Sequence, residues 1–254
     1  MLIDTHCHLE KKDYPNREEI IKHMENNIMI ASADNLESSI EVDQLTKEYD
    51  NIYGTIGFHP NELEKFNDET FKKLENLLQN KKIVGIGEIG LDYHYGDEDK
   101  EKQKSAFIKQ IELAIKYNLP IVIHSRDAAY DTLEILKKYP NIKIDMHCYG
   151  YSLEIAKELL KINPNIKFGI GGVLTFKNSK KLKEVVEYLD TSNILLETDS
   201  PYLSPEPLRG TKNEPYNVKF VAEFLANLKG LSLENIEKIT SENAITQFDL
   251  NLKK

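Results

Sequence analysis

Short apolar runs recur eight times along the chain, at 2–9, 28–33, 52–58, 83–91, 121–124, 142–147, 166–174 and 194–197, with longer amphipathic stretches between them. This alternation constrains the fold more than any other feature, because strand and helix repeated in turn build a parallel sheet with helices on its faces. The stretch 101–118 shows the helical half of the pattern, with Phe107, Ile111, Ala114 and Ile115 on one stripe and Lys and Glu opposite. Eight such units in 254 residues match a closed (β/α)8 TIM barrel of about 250 residues, whereas an open doubly wound sheet usually stops at about five to seven strands. The segment 232–247, with Ser232 placed as an N-cap, then reads as an additional C-terminal helix that covers the barrel. No linker or composition shift interrupts the pattern, so one domain over 1–254 is expected.

Composition narrows the class. Forty per cent hydrophobic residues and 22 Tyr plus Phe describe a globular chain with ample core. No stretch approaches the ~20 apolar residues of a membrane helix, and the start lacks the basic and apolar regions of a signal peptide. Only two cysteines, Cys7 and Cys148, fit a reducing compartment, so a cytoplasmic protein without a membrane or obligate protein partner is expected. Basic residues number 33 against 42 acidic, a net charge of −9, which argues against coating nucleic acid by bulk electrostatics. Any nucleic-acid contact must be local.

In a barrel the active site lies at the C-terminal ends of the strands. Six of the seven histidines fall there, namely His6, His8, His59, His94, His124 and His147, while His23 lies in a helical pattern. His6 and His8, two apart on one strand, point the same way and can bind one ion; alone they could equally be hydrogen-bonded core histidines. Glu88 sits in an apolar, glycine-rich strand with no basic residue from 83 to 93, so its counter-charge must come from elsewhere, and a metal ion is the economical choice. His124 and His147 add two nitrogens from neighbouring strands. Asp145, on the His147 side, is expected either to orient an imidazole or to pair with a buried base. Asp199, with Glu197 on its face, ends the eighth run and is brought beside His6 and His8 by closure of the barrel. Four imidazoles and two carboxylates exceed one four-coordinate site and suit two ions, with Zn²⁺, Mn²⁺, Co²⁺ and Mg²⁺ all compatible. By alternation Cys7 and Cys148 point away.

The ordered motifs DTHCHL, GFHP, GEIGLDYH, Gln103 to Ala114, IVIHSRDA, HCYG, LLETDSPYL and RGTKNEP span nearly the whole chain. Together they resemble the TatD family of metal-dependent hydrolases, amidohydrolase-like barrels. The resemblance implies two divalent ions per chain, one held by His6, His8 and Asp199, the other by His124 and His147, with Glu88 bridging. It also implies a deoxyribonuclease that removes nucleotides from a 3′ end. Tyr149 and Tyr151 stand where the family more often has Phe-Ser-Gly, a departure in the substrate pocket.

The corresponding chemistry is phosphodiester hydrolysis of DNA ends or short single-stranded segments, with Asp199 and Glu88 as catalytic residues. His59, Arg126 and Arg209 are expected to bind substrate, Arg offering phosphate a bidentate fork. Lys212 and the cluster Lys177, Lys180, Lys181 and Lys183 read more simply as structural or solvated charges, and His94 as exposed. Tyr93, Tyr95, Tyr149 and Tyr202 flank the motifs and suit either packing or base stacking. Two other classes remain at this stage. One is hydrolysis of an amide, lactone or aminoacyl-tRNA ester by the same centre; the other is metal-dependent binding without turnover.

Overall fold

The computed structural model describes residues 1–96 and 99–252. In chain order the strands and α-helices are β1 (Ile3–Cys7), α1 (Arg17–His23), β2 (Ile28–Ser32), α2 (Leu36–Glu48), β3 (Ile52–Ile56), α3 (Asp68–Leu77), β4 (Ile83–Asp92), α4 (Lys100–Tyr117) and β5 (Ile121–Arg126). They continue as α5 (Ala129–Leu136), β6 (Ile144–Met146), α6 (Leu153–Ile162), β7 (Lys167–Ile170), α7 (Lys180–Tyr188), β8 (Ile194–Leu196), α8 (Val218–Lys229) and α9 (Leu233–Phe248). The strands form one parallel sheet in the order β1 to β8, a nearly closed TIM barrel ringed by helices.

The seam between β8 and β1 is made by residues just past the strands. Asp199 N–H donates to His6 O at 2.9 Å and His8 N–H to Ser200 O at 2.8 Å. The contacts that close the barrel therefore also set Asp199 beside the two β1 histidines.

At the opposite end α9 seals the barrel. Its Ala244 and Phe248, with Leu250 beyond it, pack on Ile3, Ile30, Tyr53, Val84, Val122 and Leu195 in a cluster apart from the main core. Ser232 caps α9 by accepting from Asn235 N–H at 3.2 Å, as the sequence predicts. The main core lies between strands and outer helices, where Phe107, Ile111 and Ala114 of α4 are buried.

Two buried glutamines on that helix act on the site's scaffold. Gln110 accepts from Phe58 N–H at 2.7 Å and donates to Phe58 O at 3.1 Å. Gln103 does the same for Asp92, at 2.9 and 3.0 Å. Each side-chain amide satisfies the backbone N–H and C=O of one residue, Phe58 just past β3 or Asp92 at the end of β4, and so fixes the segments that carry His59 and Asp92.

Some strands are shorter than the apolar runs. The seventh run, 166–174, ends as a strand at Ile170 and turns into a 3₁₀ segment, Gly172–Thr175. The chain from β8 crosses there, and a Cβ on Gly172 would lie 2.2 Å from Leu203 O. β6 and β8 keep only three residues each, leaving His147 and Glu197 just outside them. No helix among the described residues is long and apolar enough to cross a membrane.

Candidate metal centre

His6, wholly buried, and His8 turn their Nε2 atoms toward each other at 3.3 Å. Glu88 enters from β4 and faces both sides of the mouth. Its Oε2 lies 3.4 Å from His6 Nε2 and 3.8 Å from His8 Nε2. Its Oε1 lies 3.0 Å from His124 Nδ1, 3.6 Å from His147 Nε2 and 3.8 Å from His59 Nε2. Asp199 Oδ1 is 4.0, 3.7 and 3.7 Å from Nε2 of His6, His8 and His147. Asp199 holds a left-handed backbone, φ 54°, and is held in place by the seam.

Each imidazole also has an outer neighbour. Ser32 Oγ meets His6 Nδ1 at 3.1 Å and is itself bonded to Thr55 Oγ1 at 2.9 Å. Asp34 Oδ1 lies 3.9 Å from His8 Nδ1, Asp92 Oδ2 3.1 Å from His124 Nε2, and Glu197 Oε2 3.2 Å from His147 Nδ1. Such partners fix ring orientation and raise ligand basicity in metal sites.

Burial opposes charge throughout the centre, and the neighbours decide the outcome. Burial disfavours charge on His8, but Asp34, Asp199 and Glu88 lift its pKa to about 10. His124 likewise rises against burial to about 9 through Asp92 and Glu88. His147 is raised well above the ordinary value by Glu197 and Glu88 despite its burial. His6 goes down, through burial and the positive His147 stacked 3.5 Å from it. Burial works against ionised Glu88, yet His147, His124 and His6 hold it well below the usual carboxylate range. Asp199 is kept low in the same way by His8, His147 and His6. The site thus concentrates anions whose histidine counter-charges converge from β1, β5 and β6.

These donors fit divalent cations. His6, His8 and Asp199 form one compact ligand group, His6, Glu88 and His147 a second, and His59, Asp92 and His124 a third. Mixed imidazole and carboxylate donors suit Zn²⁺, Mn²⁺, Co²⁺ or Mg²⁺. His8 Nδ1 is buried without a hydrogen bond and faces Asp34, while its Nε2 faces the centre.

The other predicted residues take different places. His59 lies inside the centre. Burial lowers its pKa to about 4, and with Nδ1 accepting from Asn61 N–H at 3.1 Å its Nε2 carries the hydrogen. Arg126 and Arg209 are exposed at the mouth, over the rings of Tyr95 and Phe176. Lys212 is engaged elsewhere, donating to Asp13 O, and Lys183 donates to Phe176 O. Tyr149 is buried and Tyr93 binds Asp131, whereas Tyr95 and Tyr202 are exposed. His94 is exposed and pairs with Asp127.

Two expectations need correction. Asp145 orients no imidazole and has no paired base: both its carboxylate oxygens are buried without a hydrogen-bond partner. Burial and the nearby Glu197 charge push its pKa well above the carboxylate range. Glu197 holds His147 instead, and also accepts from Cys148 N–H at 2.7 Å. Nor does Cys148 point away, since its thiol groups with His147 and Glu197. Its backbone has left the strand, with φ 46°, so alternation no longer applies. Asp92 is a site residue that the sequence reading does not single out, although Glu88 and Asp92 are four apart on one strand and share a face.

These assignments predict a contrast. Glu197→Gln, which removes an acceptor from His147, is expected to weaken metal affinity about 10–100-fold. Asp145→Asn alters a side chain that makes no hydrogen bond to the centre and is expected to change it less than about threefold, by the ordinary range for substitutions without a lost partner. Titration with a fluorescent competitor for Zn²⁺ measures both; equal losses would contradict the geometry.

A family model described as TatD related DNase matches residues 3–249. The chain belongs to the TatD family. Among its relatives, YabD of Bacillus subtilis strain 168, a metal-dependent hydrolase, is 42% identical over 99% of this chain and 100% of its own length. MJ1582 of Methanocaldococcus jannaschii, also named a metal-dependent hydrolase, is 38% identical and aligned over 98% of both chains. The crystal structure of YJJV, a TatD homolog from Escherichia coli K12, superposes with TM-score 0.90 at 29% identity, covering 98% of each chain. In this TatD-family chain the centre described above lies at the C-terminal ends of the strands.

Proposed function

We propose that this TatD-type metal-dependent hydrolase is a deoxyribonuclease that cleaves phosphodiester bonds from the 3′ end of DNA, using two divalent ions. The observation that carries the reading is Glu88, whose two oxygens face different histidine sets, Oε2 toward His6 and His8 and Oε1 toward His124 and His147. His6, His8 and Asp199 would hold one ion, His124 and His147 the other, and Glu88 would serve both. Bound there, such ions would lower the pKa of water toward neutrality and would neutralise phosphoryl charge.

The chain's own groups supply the rest. Asp199, kept ionised by its histidine neighbours, accepts a proton from the attacking water. Neutral His59 presents an Nε2–H donor beside Glu88. Arg126 and Arg209, exposed at the mouth, donate to non-bridging phosphate oxygens. Attraction for a polyanion is thereby confined to the barrel mouth of a chain with net charge −9.

The test offers purified protein with Mn²⁺, Mg²⁺ or Zn²⁺ a single-stranded oligonucleotide labelled internally, a D-aminoacyl-tRNA and a lactone. Stepwise nucleotide release that chelator abolishes is expected, with close to two ions per chain by elemental analysis. Cleavage of the lactone or the aminoacyl ester with no oligonucleotide cleavage under any metal would overturn the reading.

A further inference from the structure

The segment after β3 makes a tight turn, His59 to Glu62, closed where Glu62 N–H donates to His59 O at 2.9 Å. Pro60 takes its second position, where a fixed φ favours the turn. Asn61, the third residue, is open to solvent yet contacts two groups of the centre. Its backbone N–H donates to His59 Nδ1 at 3.1 Å, and its side-chain Nδ2 donates to Asp92 Oδ2 at 3.0 Å. The same Asp92 oxygen lies 3.1 Å from His124 Nε2, while Oδ1 accepts from His94 N–H at 3.0 Å. The rings of His59 and His124 are 4.4 Å apart.

We propose that Asn61 is a positioning residue that ties His59 to the Asp92–His124 pair, so that a surface turn sets the orientation of one imidazole of the centre. This rests on the assignment of His124 as a metal ligand and is independent of what the substrate is. An ionised carboxylate only accepts, so the amide must face Asp92 with its NH₂ group. Asn61 N–H on Nδ1 leaves the His59 hydrogen on Nε2, the atom 3.8 Å from Glu88 Oε1.

These contacts close a ring. Gln110 of α4 holds the main chain of Phe58, next to His59, and Gln103 holds that of Asp92. The two glutamines are seven apart, two helical turns, and share one face of α4. They fix backbones only. The Asp92 carboxylate can still turn about its own side-chain bonds, and Asn61, bonded to the oxygen that faces His124, removes that freedom on the mouth side. A carboxylate held in this way keeps the ligand ring in one orientation, which is what an outer partner contributes to metal affinity.

Zn²⁺ affinity, measured by competition with a fluorescent chelator, and the visible absorption of Co²⁺-loaded protein test the inference in wild type, Asn61→Ala, Asp92→Ala and the double variant. Asp92→Ala is expected to weaken Zn²⁺ binding about 10–100-fold, as loss of an outer partner does. Asn61→Ala keeps the backbone N–H and releases only the carboxylate. A smaller loss is expected, about 2- to 12-fold, what one net hydrogen bond contributes, with shifted Co²⁺ bands. In the Asp92→Ala background the same substitution should change neither readout, because its route to His124 is gone. Asn61 is exposed, so the single variant is readable whether or not Asp92→Ala folds. Wild-type affinity and Co²⁺ bands in Asn61→Ala, or losses that multiply in the double variant, overturn the role of Asn61 and leave His124 a ligand. Wild-type affinity in Asp92→Ala contradicts the assignment of His124 itself, and the inference with it.

Discussion

Replacing Glu88 by glutamine is expected to lower kcat by at least about 10²–10³-fold, the loss seen when one preorganised electrostatic group is removed from a reaction centre. The expected loss comes from the position of Glu88. Within 3.8 Å its two oxygens meet nitrogens of His6, His8, His59, His124 and His147. Glutamine keeps the shape but removes the charge and turns an N–H₂ group toward nitrogens that need an anion. In the metal-free protein His8, His124 and His147 then lose their common counter-charge and keep only their outer partners, Asp34 and Asp199, Asp92 and Glu197 respectively, so the expected cost is a part of the roughly 3–5 kcal/mol of a fully broken buried pair. The variant is therefore expected to bind fewer ions and to unfold earlier without metal. Elemental analysis, thermal denaturation with and without chelator, and oligonucleotide kinetics measure the three effects. Near wild-type kcat with a full metal complement would mean that Glu88 is not a bridge.

Legibility in the sequence follows the physics of strands. A buried parallel strand must be an apolar run, so eight runs announced eight strands. A polar residue that interrupts or ends such a run needs a reason to be there, so Glu88 within the fourth run and His6, His8, His124, His147 and Asp199 at or just past the ends of others stood out. Alternation, however, assigns direction only while the chain is extended and paired. β6 stops at Met146 and β8 at Leu196, so His147, Cys148 and Glu197 all lie beyond its reach. That is why the sequence offers Asp145, still within β6, either to orient an imidazole or to pair with a buried base, while Glu197 is the residue that holds His147. Asp34 follows β2 in a turn with no apolar frame to mark it. The pairing of Arg126 with Tyr95 and of Arg209 with Phe176 joins loops from different strands, which no local pattern encodes.

Gly90→Ala is expected to disrupt the fold and the centre together. Gly90 lies in β4 between Glu88 and Asp92, paired with His124 of β5. Its φ of +143° is one that L side chains rarely adopt, and a Cβ there would sit 1.9 Å from His124 O. The backbone strain is worth about 1–3 kcal/mol, and overpacking about 1–3 kcal/mol more. At about 2–4 °C per kcal/mol for a chain of this size, the combined effect is a fall in Tm of roughly 4–24 °C. The atom that would be struck is main chain, so relief requires β4 and β5 to part at the register that sets Glu88 against His124. Activity should therefore fall even at temperatures where the variant is folded. Gly230→Ala separates the two causes, because Gly230 has φ +65° at the end of α8 but nothing within 4 Å of a built Cβ. It should show only the strain, about 1 kcal/mol, with oligonucleotide kinetics unchanged. Circular dichroism melts and activity below Tm decide the matter; a Gly90→Ala variant as stable and active as Gly230→Ala would show that β4 and β5 can yield there without disturbing the site.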